Sequence, residues 1–412
     1  MKRFAADSDI IRSMTRYTRI DVLASAVLML AVAGCATSVG NSPVPSDVPP
    51  LLGAGSGATA TRRQWEESRR PEILSKFEKD VFGRRPAFVE KPASLSFVCE
   101  EESPAMDGAA TLKRMRVEFA GPCGKGSFPV VAFLPKSEKP APVFLLICNR
   151  GWENIDPTRK IKSDFWPAEE IVRRGYAAIA FHTKDVAADA NVGFSQGMFT
   201  AFMLEKDRDA ESWATLSAWA WGASRVMDWI EREPGLDASH VAVVGHSRGG
   251  KTALWAGASD RRFAMACSND SGCSGAKLNH IDLPLSESIE KITKNFPYWF
   301  CGNYLSYVGR DATMDFDQHW LVALMAPRLV AIASATEDSW AGPLGEWWSA
   351  RLASPAWELY GLRGLVGEAW PAPECPQQEG SVSYHLRTGK HNLGLYDWKC
   401  YMDFADRNGW RR

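Results

Sequence analysis

The sequence predicts an α/β fold with a mainly parallel central sheet flanked by helices, and three features carry that expectation. Apolar, β-rich runs recur along the chain, helical periodicities lie between them, and a glycine-rich turn stands where one strand gives way to a helix. The runs are Val130–Leu134, Val143–Cys148, Ala177–Phe181, Val241–Val244, Ala264–Ser268 and Leu329–Ser334. Most are nearly continuous rather than alternating, as expected of strands buried on both faces. The clearest helix repeats Trp213, Leu216, Ala220, Ala223, Met227 and Ile230 at intervals of three and four, and Pro234-Gly235 ends it. Strands alternating with helices give a parallel sheet, whose ligands sit beyond the carboxyl ends of its strands.

Residues 1–35 read as an export signal, because a charged stretch ending at Arg19 precedes the apolar run Val22–Ala33. That run is too short for a stable membrane anchor. It ends in Val32-Ala33-Gly34-Cys35, which resembles a bacterial lipobox with the Cys35 thiol as the lipid acceptor. A simple cleaved signal is the alternative, and Asp7 and Asp9 in the basic region point to Met14 as another start. The chain is therefore expected to be exported, as a periplasmic, outer-membrane or secreted protein. Residues 36–61 are mostly Ser, Pro, Gly and Ala, which cannot bury a core and read as a flexible tether. Residues 62–412 then form one catalytic domain of about 350 residues.

The 48 basic and 49 acidic residues nearly cancel, so no basic field exists to attract nucleic acid. Most of the 17 tryptophans are expected in the core, although indole rings also stack on sugars. Besides Cys35, eight cysteines remain, at 99, 123, 148, 267, 273, 301, 375 and 400. That even number allows disulfides in an exported chain without revealing their pairing. They form no CxxC pair and no zinc-like cluster with histidine, so neither a metal nor another cofactor is expected.

Ser247 lies in Gly245-His246-Ser247-Arg248-Gly249, between the strand-like His240–Val244 and the small-residue helix Gly249–Ala258. In such an elbow a strained turn lifts the hydroxyl above the sheet, and the glycines remove side chains that would collide with neighbouring strands. A backbone N–H at the helix start can then stabilise an oxyanion. Serine needs a base and an acid to orient it. His391, in the polar loop Gly389-Lys390-His391-Asn392, is the better base, because the alternative His385 alternates within the strand-like Val382–Leu386. Asp270 and Asp338 each follow a core strand, and position alone does not separate them as the acid.

Longer stretches resemble the glucuronoyl esterases of carbohydrate esterase family 15, of the α/β-hydrolase superfamily. They include the segment from Val241 to Lys277, then Phe296-Pro297-Tyr298-Trp299-Phe300, Phe316-Asp317-Gln318-His319, Ala326-Pro327-Arg328 and Asp338-Ser339-Trp340. Arg387-Thr388-Gly389-Lys390-His391 with Asp397-Trp398, and upstream Ala218-Trp219-Ala220-Trp221-Gly222, complete a match over roughly residues 70 to 410. The resemblance implies hydrolysis of the ester between 4-O-methyl-glucuronic acid on xylan and an alcohol of lignin. It implies Ser247 as nucleophile, His391 as base and Arg248 as the oxyanion-stabilising arginine, and it makes Lys251, Glu287 and Trp340 uronate-binding residues. Where the family usually has Glu, this chain has Asp270, one methylene shorter. Some bacterial members are similar in carrying the acid after a later strand, which here is Asp338. Asp270 is expected as the principal acid, with Asp338 as rival or helper. An acetyl or feruloyl esterase on hemicellulose, or an inactive surface carbohydrate-binding protein, are the competing readings.

Overall fold

Strands form wherever the sequence offers residues that can be buried on both faces, and also at one margin where it does not. The computed structural model describes residues 45, 47–53, 60–281, 283 and 285–411. Its strands are β1 (Ser94–Ala105), β2 (Ala110–Gly121), β3 (Gly124–Pro135), β4 (Ala141–Cys148) and β5 (Ala177–His182), followed by β6 (Leu236–His246), β7 (Met265–Asn269), β8 (Leu329–Ala335) and β9 (Val382–Arg387). One sheet holds all nine in the order β1-β2-β3-β5-β4-β6-β7-β8-β9. Pairing is antiparallel from β1 to β5 and parallel from β5 onward.

Each of the six apolar runs coincides with a strand, Ala264 alone preceding its strand by one residue, and β4 shows why such runs are continuous. Val143, Leu145 and Ile147 enter one core layer, while Phe144, Leu146 and Cys148 enter the other. The first layer is covered by α1 (Thr215–Ile230) and α2 (Arg248–Ser259), and later by α3 (Pro343–Ala353). The second is covered by α4 (Leu395–Arg407), through Trp398, Tyr401, Met402 and Phe404. Nine tryptophans are fully buried, as expected for core packing. The indoles of Trp219 and Trp221 donate to Ala187 O and Val89 O at 2.9 and 2.7 Å, which pairs these two N–H groups inside the core.

The strands absent from the sequence expectation, β1 and β2, alternate instead of running continuously. Their outward residues are charged, with Arg116 pairing to Glu100 at 2.6 Å and to Glu118 at 3.0 Å. Such charges keep an edge strand from recruiting another chain. Cys35 and most of the expected tether lie outside the described residues. One described stretch of it, residues 47–53, docks on the domain: Leu51 is buried, Arg69 Nε donates to Leu51 O at 2.7 Å, and His319 Nε2 donates to Pro49 O at 3.0 Å. Packed structure thus precedes residue 62.

The exits of β6, β7, β8 and β9 share one edge of the sheet, and a buried carboxylate ties two of them together. Glu346 of α3 is completely buried. Its Oε1 accepts from Ser271 N at 2.7 Å, Gly272 N at 2.9 Å and Ser271 Oγ at 3.0 Å, and its Oε2 accepts from Ser334 Oγ at 2.6 Å. Burial raises its pKa from 4.5 to about 7 in spite of these donors. The folded state therefore keeps this proton above the pH at which the unfolded chain loses it. Its contribution is fully present below about pH 4.5 and is lost as pH rises through 7, at a cost of up to about 3 kcal/mol. Urea unfolding of wild type and Glu346→Gln between pH 4.5 and 7.5 should show the variant gaining relative stability as pH rises. A pH-independent difference would contradict this account.

Candidate active site

The turn after β6 is as tight as the glycine pattern requires. A Cβ at residue 245 would stand 2.0 Å from Gly249 O, so no side chain fits there. Ser247 has φ 57 and ψ −123, a backbone strain that persists only because its surroundings hold it. Its N–H donates to Asn269 O at 2.8 Å, and its carbonyl accepts from Gly250 N at 2.8 Å and Lys251 N at 3.1 Å, so strand, turn and helix are locked together.

His391 lies beside this turn, with its ring centroid 4.4 Å from that of His246, the residue before Ser247. His391 Nδ1 donates to Asp338 Oδ2 at 2.5 Å, a short charge-assisted bond between a part-exposed imidazole and a buried carboxylate. Asp270 is close as well, since one atom each of Asp270, Asp338 and His391 lie within 4.8 Å of one another. Its contacts go elsewhere: Asp270 Oδ2 accepts from Arg387 Nη2 and from Asn392 N, both at 3.3 Å. Burial first, and then Glu346, Asp338 and Asp397, push its carboxyl well above the usual carboxylate range. Of the two aspartates expected as the acid, Asp338 is the one hydrogen-bonded to the His391 ring. The histidine set aside, His385, is buried in β9 and bonded to Asp397 Oδ1 at 2.9 Å, away from the hydroxyl.

His246 adds a fixed wall. Its Nδ1 donates to Asn269 Oδ1 at 2.6 Å and its Nε2 accepts from Arg150 Nη2 at 3.0 Å, which defines a neutral ring. Burial, with His391 next, holds its pKa well below 6.5. Arg248 is gripped on several sides. Its Nη1 donates to Asp189 Oδ2 at 2.5 Å, and its guanidinium lies 4.7 Å from the Trp299 ring and 5.2 Å from that of Phe296. Asp189 also accepts from Trp299 Nε1 at 2.9 Å and Tyr298 Oη at 3.2 Å.

Lys251, Glu287 and Trp340 form one cluster. Lys251 Nζ donates to Ser271 O and Cys273 O at 2.6 Å each and to Glu287 Oε2 at 2.8 Å. These use all three ammonium hydrogens, so Lys251 fixes Glu287 rather than presenting free donors to a ligand. Glu287 Oε1 accepts from Trp340 Nε1 at 3.1 Å and keeps lone pairs to spare. Trp340 is 42% exposed, with Lys291 Nζ 5.3 Å from its ring. Sequence reasoning missed Arg150, Asp189, Glu346 and Arg387. Arg150 alone had a visible signal, standing two residues past the end of an apolar strand.

The edge thus offers a hydroxyl on a strained elbow, an imidazole backed by a carboxylate, a caged guanidinium and a polar-aromatic cluster. A family model of fungal glucuronyl esterases matches residues 130–361, more than half of the chain. A carbohydrate esterase from an unidentified prokaryotic organism is 33% identical over 390 residues, covering 87% of this chain and 88% of that protein. The 4-O-methyl-glucuronoyl methylesterase of Hypocrea jecorina is 33% identical over 202 residues, 47% of this chain and 43% of that protein. Among solved structures, a glucuronoyl esterase from Solibacter usitatus superposes with a TM-score of 0.80 at 33% identity, covering 91% of this chain and 100% of that one. Sequence and architecture agree over nearly the whole domain, and the chain belongs to the glucuronoyl esterases of carbohydrate esterase family 15, on an α/β-hydrolase fold.

Proposed function

We propose that this protein hydrolyses esters of (4-O-methyl-)glucuronic acid, as in lignin–glucuronoxylan linkages, through an acyl-enzyme on Ser247. The observation that carries the proposal is the His391–Asp338 hydrogen bond beside the Ser247 elbow. His391 takes the Ser247 proton as Oγ attacks the uronoyl carbonyl, and Asp338 stabilises the imidazolium. Collapse of the tetrahedral adduct expels the alcohol, which leaves with that proton. Water then attacks the acyl-enzyme with His391 again as base, releasing the uronic acid and restoring the serine.

Arg248 suits the oxyanion because Asp189 and Trp299 hold its guanidinium in place. Its side chain is still 29% exposed, which leaves the guanidinium within reach of substrate. Glu287 accepts from sugar hydroxyls, Trp340 walls the sugar, and Lys251 keeps Glu287 oriented. This polar-aromatic cluster favours a uronoyl over an acetyl or feruloyl substrate. We further propose that residues 1–35 export the chain and that Cys35 carries a lipid. No helix among the described residues is long and apolar enough to cross a membrane.

With methyl and benzyl glucuronate as substrates, Ser247→Ala should abolish turnover while the protein stays folded. Asp338→Asn should lower kcat by about 10²- to 10⁴-fold and Asp270→Asn by no more than about tenfold. The reverse ranking would return the acid role to Asp270. Trp340→Ala should raise KM for glucuronate esters by about tenfold, the loss of one sugar-stacking wall. Faster hydrolysis of acetylated xylan than of either glucuronate ester would reject the uronoyl assignment.

A further inference from the structure

The loop that carries His391 is held by a single guanidinium. Arg387, the last residue of β9, is largely buried. Its Nη2 donates to Lys390 O at 2.6 Å and to Asn392 O, the two carbonyls nearest to His391 on either side. Its Nε donates to Asp397 Oδ2 at 3.0 Å. Asp397 is itself fixed by Gly394 N at 2.9 Å and by His385 Nε2 at 2.9 Å. Asp270 Oδ2 completes the set at 3.3 Å from both Arg387 Nη2 and Asn392 N. Nη2 has two hydrogens, and the shorter contacts to the carbonyls claim them. Asp270 Oδ2, accepting from Asn392 N, holds the loop from the β7 side.

We propose that Arg387 is a positioning residue for His391: by binding the carbonyls of residues 390 and 392 while anchored on Asp397 and Asp270, it sets the imidazole at the height where Nδ1 meets Asp338 and Nε2 faces Ser247. The proposal rests on His391 being the base. It gives Asp270 a purpose other than that of triad acid, namely to brace the clamp. Lysine cannot replace the guanidinium, because one ammonium cannot reach both carbonyls and Asp397 in this fork geometry.

The test uses the full chain with methyl glucuronate. Arg387→Lys should lower kcat by about 10- to 100-fold with KM within about twofold, as expected when a base is misplaced by about 1 Å. The low-field proton resonance of the His391 Nδ1–H bond should broaden or vanish in the same variant. Asp270→Asn should lower kcat a few-fold, and combining it with Arg387→Lys should add little, since both act through one clamp. Unchanged kcat with an intact resonance in folded Arg387→Lys overturns the proposal, as does a loss confined to KM. If Arg387→Lys does not fold, Asp397→Asn, which keeps the shape of the anchor, should show the same kcat loss, and normal turnover there overturns the proposal. Turnover by Ser247→Ala would instead reject the serine mechanism, so failure of the clamp and failure of the functional reading are separable.

Discussion

The contact on which the remaining geometry depends is the backbone approach of residue 245 to residue 249. No side chain fits between them, and the turn forces Ser247 into a conformation that a relaxed chain avoids. Parallel pairing on both sides holds it there: β6 lies between β4 and β7, and the Ser247 amide is tied to Asn269 at the end of β7. Strain at one residue is thus balanced by the cooperative stability of the sheet. Ser247 is half-buried and its backbone is not free.

Around this point the protein separates two aspartates by environment rather than by distance. Asp338 accepts the bond from the imidazole, while Asp270, deeper and surrounded by other carboxylates, is held toward its neutral form. Groups of one chemical type a few ångströms apart can take different work when burial and neighbours differ. Glu346, pushed up to about 7 beneath the same edge, extends the pattern into the core.

The continuous apolar strands were legible because each of their residues meets one core layer or the other, and the nucleophile turn was legible because its glycines are sterically obligatory. The outer strands β1 and β2 were not, since one face carries charge and the apolar signal halves. The difference between Asp270 and Asp338 was invisible because it depends on which of two neighbouring strand exits the His391 ring faces, and sequence spacing carries no record of that. Lys251, Glu287 and Trp340 emerged through resemblance alone. The structure joins them, with Lys251 Nζ bonded to Glu287 and Glu287 to Trp340.

The acid loop and the base loop are stitched to each other: Thr336 N donates to Arg387 O at 2.9 Å, Glu337 N to Gly389 O at 2.8 Å, and Gly389 N to Thr336 Oγ1 at 3.1 Å. Imidazole and carboxylate therefore travel as one rigid cassette, even though they come from different strands. Trp340 stands two residues past Asp338 and its carbonyl accepts from Glu287 N at 2.8 Å, so the cluster with Lys251 is tied to the same loop. A displacement of either loop is therefore felt at once by the imidazole, by its carboxylate and by the Glu287 cluster.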